Sequence, residues 1–239
     1  MQLYFIRHAQ STNNALYEST GSSYGRNEDP ELTELGIKQA NALADFLQTG
    51  NPNGGAHNEQ EAPKGFGLTH LYTSLMRRAV QTGWIVSQQL GVPLIAWKDL
   101  HEEGGIFMDD EQTGESIGLP GRPRRYFETR YSGILLPDEL DENGWWNRPR
   151  ESTEEAMKRA QRVLKVLIQR HGDTRDRVAF VSHGGFYNLF VFSLLGLPLS
   201  VELWFTMNNA AVSRFDLFEG KVNPVYTNRM DYLPEDLIS

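Results

Sequence analysis

No cysteine occurs among the 239 residues. That excludes disulfides, a thiolate nucleophile, zinc–cysteine sites and iron–sulfur clusters. Positive charge is also scarce: 23 Lys and Arg stand against 31 Asp and Glu, a formal net charge of −8. An acidic surface is a poor match to a phosphate backbone, so nucleic acid is not an expected partner. An anionic substrate would need a local basic pocket inside this acidic chain. Long apolar runs are missing. The longest, around Phe186–Leu199, is broken by Asn188, Ser193, Gly196 and Pro198 and is too short to span a bilayer. The start, Met1 to His8, lacks the positive region and the long apolar stretch of a signal peptide. The expectation is a cytoplasmic protein with no membrane partner. Nothing in the sequence speaks to oligomeric state.

What is present fits an ordinary globular chain, 39% hydrophobic and 23% charged. The length suits one domain over 1–239, elaborated by insertions at about 51–67 and 104–149. Leu3–Ile6 is a continuous apolar run that reads as a buried strand, with Arg7 to Asn14 as the loop leaving its carboxyl end. Residues 15–31 read as further loop. Thr33 is a candidate N-cap for a helix carrying Ile37, Ala40, Leu43, Ala44 and Leu47. Leu68–Thr73 reads as a second strand, and Ser74 as the cap of a helix running to Leu90, where Gly91 stops it. Val92–Trp97 reads as a third strand. Residues 104–149 lack a clean period, yet hold four arginines between Arg122 and Arg130 and the pair Trp145-Trp146. They suit a packed, cap-like subdomain better than a linker. Ser152-Thr153-Glu154-Glu155 is a capping box opening a helix. Arg177–Ser182 is a strand, followed by His183-Gly184-Gly185 and an apolar helix to Leu195. Ala210–Phe218 and Lys221–Tyr226 flank Glu219-Gly220 as a hairpin. Alternating strands and helices predict an α/β fold with a mainly parallel sheet and helices on both faces.

In such a sheet, ligands bind beyond the carboxyl ends of the strands. Three of those ends carry unusual polar groups here: Arg7-His8, Arg77-Arg78 and Ser182-His183-Gly184-Gly185. Two imidazoles, guanidinium forks and a helix N-terminus converging in one crevice would suit a phosphate group. Nearby arginines disfavour imidazolium, and a neutral imidazole can attack phosphorus. The departing alkoxide then needs a proton donor. The adjacent carboxyls Glu102 and Glu103 offer one, kept protonated by mutual repulsion and burial. His57, His70 and His171 read as structural, His101 as a support or surface residue, and the Arg122–Arg130 cluster as a solvated face. Trp145-Trp146 reads as an anchor of the insertion. There is no His-Glu-x-x-His or other spaced metal-ligand set.

The ordered elements resemble the histidine phosphatase superfamily, which includes cofactor-dependent phosphoglycerate mutase. The Arg-His-Gly signature stands here as Arg7-His8-Ala9-Gln10-Ser11-Thr12-Asn13-Asn14. It is followed by Leu32-Thr33-Glu34-Leu35-Gly36-Ile37-Lys38-Gln39-Ala40, by Ser74-Leu75-Met76-Arg77-Arg78-Ala79-Val80-Gln81-Thr82, by Leu100-His101-Glu102, by Val181-Ser182-His183-Gly184 and by Asn209 before Val212-Ser213. The resemblance implies a three-layer, phosphoglycerate mutase-like sandwich and a phosphomonoesterase acting on a small phosphorylated metabolite. It implies His8 as nucleophile, Arg7, Arg78 and His183 as the rest of the phosphate pocket with Asn14 and Gly184 in support, and Glu102 as proton donor. No metal and no organic cofactor are implied. Two departures stand out. Ala9 replaces glycine, and 104–149 lacks the Arg-Tyr-Gly-Gly segment of the mutases, which favours a phosphatase. A mutase-type phosphotransferase and a non-catalytic phosphoester-binding module are the alternatives.

Overall fold

The structure is a computed structural model that describes residues 1–53 and 65–239. Most of the first expected insertion, with His57, lies outside the described residues. In chain order the elements are β1 (Gln2–Arg7), α1 (Thr12–Thr20), α2 (Glu34–Thr49), β2 (His70–Thr73), α3 (Arg77–Leu90), β3 (Leu94–Ala96), β4 (Phe107–Asp109), β5 (Ser116–Gly118), α4 (Arg124–Arg130), α5 (Thr153–His171), β6 (Arg177–Ser182), α6 (Gly184–Leu195), β7 (Val212–Phe218) and β8 (Lys221–Arg229). The main sheet has the order β3-β2-β6-β1-β7-β8. β3, β2, β6 and β1 are mutually parallel, and β7 and β8 complete the sheet antiparallel.

The apolar run Leu3–Ile6 is buried throughout because alternate side chains serve opposite faces. Leu3, Phe5, Val178 and Phe180 pack against α5 and α6 through Ala160, Val163, Leu167, Phe186 and Phe190. Tyr4, Ile6, Ala179 and Val181 pack the other way, against Leu43, Leu47, Ala79 and Val80 of α2 and α3. Each buried Leu, Ile, Val or Phe among them contributes about 1.5–3 kcal/mol. The result is the expected three layers, with the polar Arg7-His8 and His183 leaving neighbouring parallel strands at one edge.

Two local expectations fail. Residues 12–20 form a helix rather than a loop. α1 buries none of its residues, so no apolar period marks it. It is fixed instead by a capping box between Ser11 and Asn14 and is stopped by Gly21 in the left-handed region. α3 begins at Arg77, not at Ser74. Its first N–H donates to Asp29 Oδ1 at 2.9 Å, so a carboxylate distant in sequence caps the helix. Ser74 Oγ accepts the Met76 N–H.

The 104–149 insertion packs tightly. Phe127, Tyr131, Ile134 and Leu140 join the α2/α3 core, while Trp146 forms a small cluster with Met76 and Ile106. Trp146 therefore anchors the insertion beside the start of α3. Arg124 and Arg125 pair with Glu128 and Glu142, Arg122 lies 3.9 Å from Glu28, and Arg130 stacks on Tyr126.

Candidate active site

Parallel pairing sets Arg7 opposite Ser182, so the next residues, His8 and His183, emerge side by side. Their ring centroids are 5.1 Å apart. His8 Nδ1 lies 2.8 Å from the Ala9 carbonyl, which can only accept. Arg78 Nε, which can only donate, lies 3.0 Å from His8 Nε2. One tautomer satisfies both bonds: the proton on Nδ1 and the lone pair on Nε2. His183 is fully buried, and neither ring nitrogen has a partner among the described residues. Arg7 donates from Nη1 to the Met207 carbonyl at 2.6 Å, while its buried Nε is likewise unpartnered. The Arg7 side chain runs past Gly184. Buried donors without partners are uncommon. Here they sit next to the His8 lone pair, which faces a guanidinium.

The motif residues around this centre hold the backbone after β1. Ala9 N–H donates to Thr82 Oγ1 and Gln10 N–H to Gln39 Oε1. Asn209 Nδ2 donates to the His8 carbonyl at 3.1 Å. Gly36 lies so close to this loop that a Cβ there would sit 2.1 Å from the Gln10 carbonyl oxygen. Ala9 has no positive φ, and its methyl group is fully buried, so the departure from glycine carries no backbone strain.

Glu102 reaches the same region. Oε1 accepts N–H bonds from Phe186 at 2.7 Å and Glu103 at 2.9 Å, and Oε2 accepts from Gly185 at 3.1 Å. The carboxyl thus caps α6, and two helix amides expected to face an anion are taken by Glu102. Only Gly184 among the first three residues of α6 keeps its N–H free of these bonds. Glu103 points away and accepts from Thr153 Oγ1 at the start of α5. The two carboxyls do not share one environment, so the expected mutual repulsion is not built in. Asn14 Oδ1 accepts from Ser11 N–H and Oγ, leaving Nδ2 as its donor. Arg77 turns outward to Glu31 and Tyr126. His101 is a support: it bonds the Glu102 carbonyl and packs on Trp146. Sequence reasoning missed Asp29. It is buried, bonds α3 through Oδ1, and has no partner for Oδ2 among the described residues, near Arg78. No spacing or motif marks it.

Burial, followed by the charges of Arg78 and Arg7, holds His8 well below the ordinary histidine value of 6.5. Burial and then Arg78 do the same to His183, and burial and then Arg159 to His101. All three rings are therefore neutral in the folded state near pH 6, whereas the unfolded chain protonates them. Stability is lost as pH falls below 6.5, by up to about 1.4 kcal/mol per pH unit for each ring. Asp29 opposes this. Burial pushes its carboxyl from 3.8 up to about 6, so below pH 6 the folded state keeps a proton that the unfolded chain releases. It returns about 1.4 kcal/mol per unit. Three rings that resist protonation outweigh one carboxyl that keeps its proton, so the net expectation is a loss of stability as pH falls from 6 to 5. Urea midpoints measured across that range should fall accordingly; a flat profile would contradict neutral buried rings.

The geometry can be set beside known proteins. The family described as histidine phosphatase superfamily (branch 1) matches residues 3–229. A probable phosphoglycerate mutase GpmB from Yersinia pestis is 24% identical over 219 residues, covering 92% of this chain and 86% of its own. Phosphoserine phosphatase from Entamoeba histolytica, solved with 3-phosphoglyceric acid, has a TM-score of 0.61 at 20% identity, covering 98% of this chain and 99% of its own. A putative alpha-ribazole-5′-P phosphatase from Escherichia coli also has a TM-score of 0.61, at 19% identity and 96% coverage of each chain. At these identities the solved structures share the fold. No helix among the described residues is long and apolar enough to cross a membrane.

Proposed function

The chain belongs to the histidine phosphatase superfamily, and on that premise we propose that it hydrolyses a small phosphomonoester through a phosphohistidine on His8. The observation that carries the proposal is the His8 tautomer, whose Nε2 lone pair faces Arg78 in a buried, unprotonated ring. Arg7, Arg78 and His183 hold the phosphoryl oxygens, with Gly184 N–H and Asn14 Nδ2 as further donors. Arg78 Nε exchanges His8 Nε2 for a phosphoryl oxygen, which frees the lone pair as the substrate docks. Nε2 then forms a bond to phosphorus while the ester oxygen leaves with a proton from Glu102. His183 and the guanidinium groups hold the charge on the equatorial oxygens during transfer. Water loses a proton to the Glu102 carboxylate and attacks phospho-His8, and inorganic phosphate departs. No step uses a metal or an organic cofactor.

Incubation with 3-phosphoglycerate and a trace of 2,3-bisphosphoglycerate tests hydrolysis against mutase transfer. Free phosphate is expected. Isomerised phosphoglycerate without phosphate release would overturn the hydrolase reading. Glu102→Gln keeps the size of the side chain but has no proton to give. It should slow alkyl phosphates by roughly 100-fold and p-nitrophenyl phosphate far less, since nitrophenolate leaves unaided. The same pattern in Glu103→Gln, with Glu102→Gln unaffected, would move the acid to the neighbouring residue.

A further inference from the structure

The amino ends of β2 and β6, opposite the edge that carries His8, gather a second set of chemistry-bearing residues. His70 opens β2, His171 ends α5, and Asp176 precedes β6. We propose that His70, His171 and Asp176 form a divalent-cation site suited to zinc. One donor atom from each lies within 4.8 Å of the others, and the two imidazoles are 4.5 Å apart at their centroids. No sequence spacing announces the site, because the sheet joins residues about 100 positions apart.

Hydrogen bonding accounts for only part of this cluster. His171 Nδ1 bonds Asp176 Oδ2 at 2.8 Å, and Tyr72 Oη lies 3.1 Å from His171 Nε2. That chain is complete without His70. Yet His70 Nδ1 is held 4.0 Å from the same carboxylate oxygen, beyond bonding reach, with Thr69 Oγ1 as its own partner. Zinc bonds nitrogen and oxygen at about 2.0–2.2 Å, which puts tetrahedral ligand atoms about 3.3 Å apart. The separations of 2.8 and 4.0 Å bracket that value. His171 is buried, whereas His70 and Asp176 are half-buried, which leaves an open side for water as a fourth ligand.

Tyr72 makes the exchange feasible. To ligate through Nδ1, His171 must carry its proton on Nε2. A tyrosine hydroxyl can donate to Nε2 in the empty state and accept from Nε2–H in the loaded one, so neither state strands a buried nitrogen. A bound cation ties the α5–β6 connection to the first residue of β2. Its effect is on stability. The phosphate pocket lies about 20 Å away, at the far ends of the same strands.

Titration of the full chain with Co²⁺, read by the visible absorption of tetrahedral cobalt, tests the site. One equivalent should bind, be displaced by Zn²⁺ and raise Tm by roughly 5 °C at saturation. His70→Ala and Asp176→Asn should each weaken binding ~100-fold while leaving phosphate release unchanged, and Tyr72→Phe should weaken it ~10-fold. His8→Ala should bind as tightly as the parent chain. Unaltered binding in His70→Ala, loss in His57→Ala or His8→Ala instead, or no tetrahedral cobalt band would each overturn the assignment.

Discussion

His8→Ala should lower phosphate release from p-nitrophenyl phosphate by roughly 10⁴–10⁶-fold while leaving the protein folded. The methyl group cannot bond phosphorus, and no second lone pair in the pocket is presented in the same way. The neighbouring imidazole, His183, has no partner on either buried nitrogen among the described residues, and so is not set up as His8 Nε2 is. The substitution also frees Arg78 Nε from its histidine partner, which costs about 1–3 kcal/mol of stability. That cost is a fraction of a domain's total stability, so circular dichroism and elution volume should match those of the parent chain. Arg7, Arg78 and His183 remain, so the variant should still bind inorganic phosphate. Turnover within tenfold of the parent would remove His8 as the nucleophile.

Arg78→Ala should lower kcat by about 10³-fold, with a smaller change in KM. The guanidinium is buried, donates to His8 Nε2, and faces the Asp29 carboxylate. Its charge is worth most when the phosphoryl group becomes planar and its oxygens gain negative charge. Arg78→Lys keeps the charge and loses the planar fork, so it should recover only part of the rate. Alanine here also removes the largest of the positive charges that offset buried Asp29, so Tm should fall. Adding Asp29→Asn should restore Tm without restoring kcat. If the double variant recovers both, Arg78 acts by holding the fold rather than by binding phosphate.

Much of this centre was legible because it follows ordered motifs at strand ends. Arg7, His8, Arg78 and His183 meet because parallel strands place successive carboxyl ends along one edge. Thr33 was readable as a helix N-cap, and Gly36 and Gln39 as members of the second ordered element. The structure adds what they pack against, the backbone of Gln10. Asp29 was illegible, because a carboxylate that caps a helix 48 residues away has no local pattern. α1 was illegible for a different reason: a helix held by its caps and burying nothing has no hydrophobic period to detect. The direction of Glu102 also needed coordinates. Adjacent glutamates look equivalent in sequence, yet one caps α6 and the other bonds Thr153 at the start of α5.

The central claim is a covalent bond between His8 Nε2 and phosphorus. It is tested most directly by mixing enzyme with a fast-leaving phosphomonoester, quenching in alkaline denaturant within the first turnover and mapping phosphopeptides by mass spectrometry. The account predicts one phosphate on the peptide containing His8, forming before free phosphate appears and absent from His8→Ala. Phosphate on His183 instead, or full turnover with no phosphorylated peptide at any quench time, would contradict it.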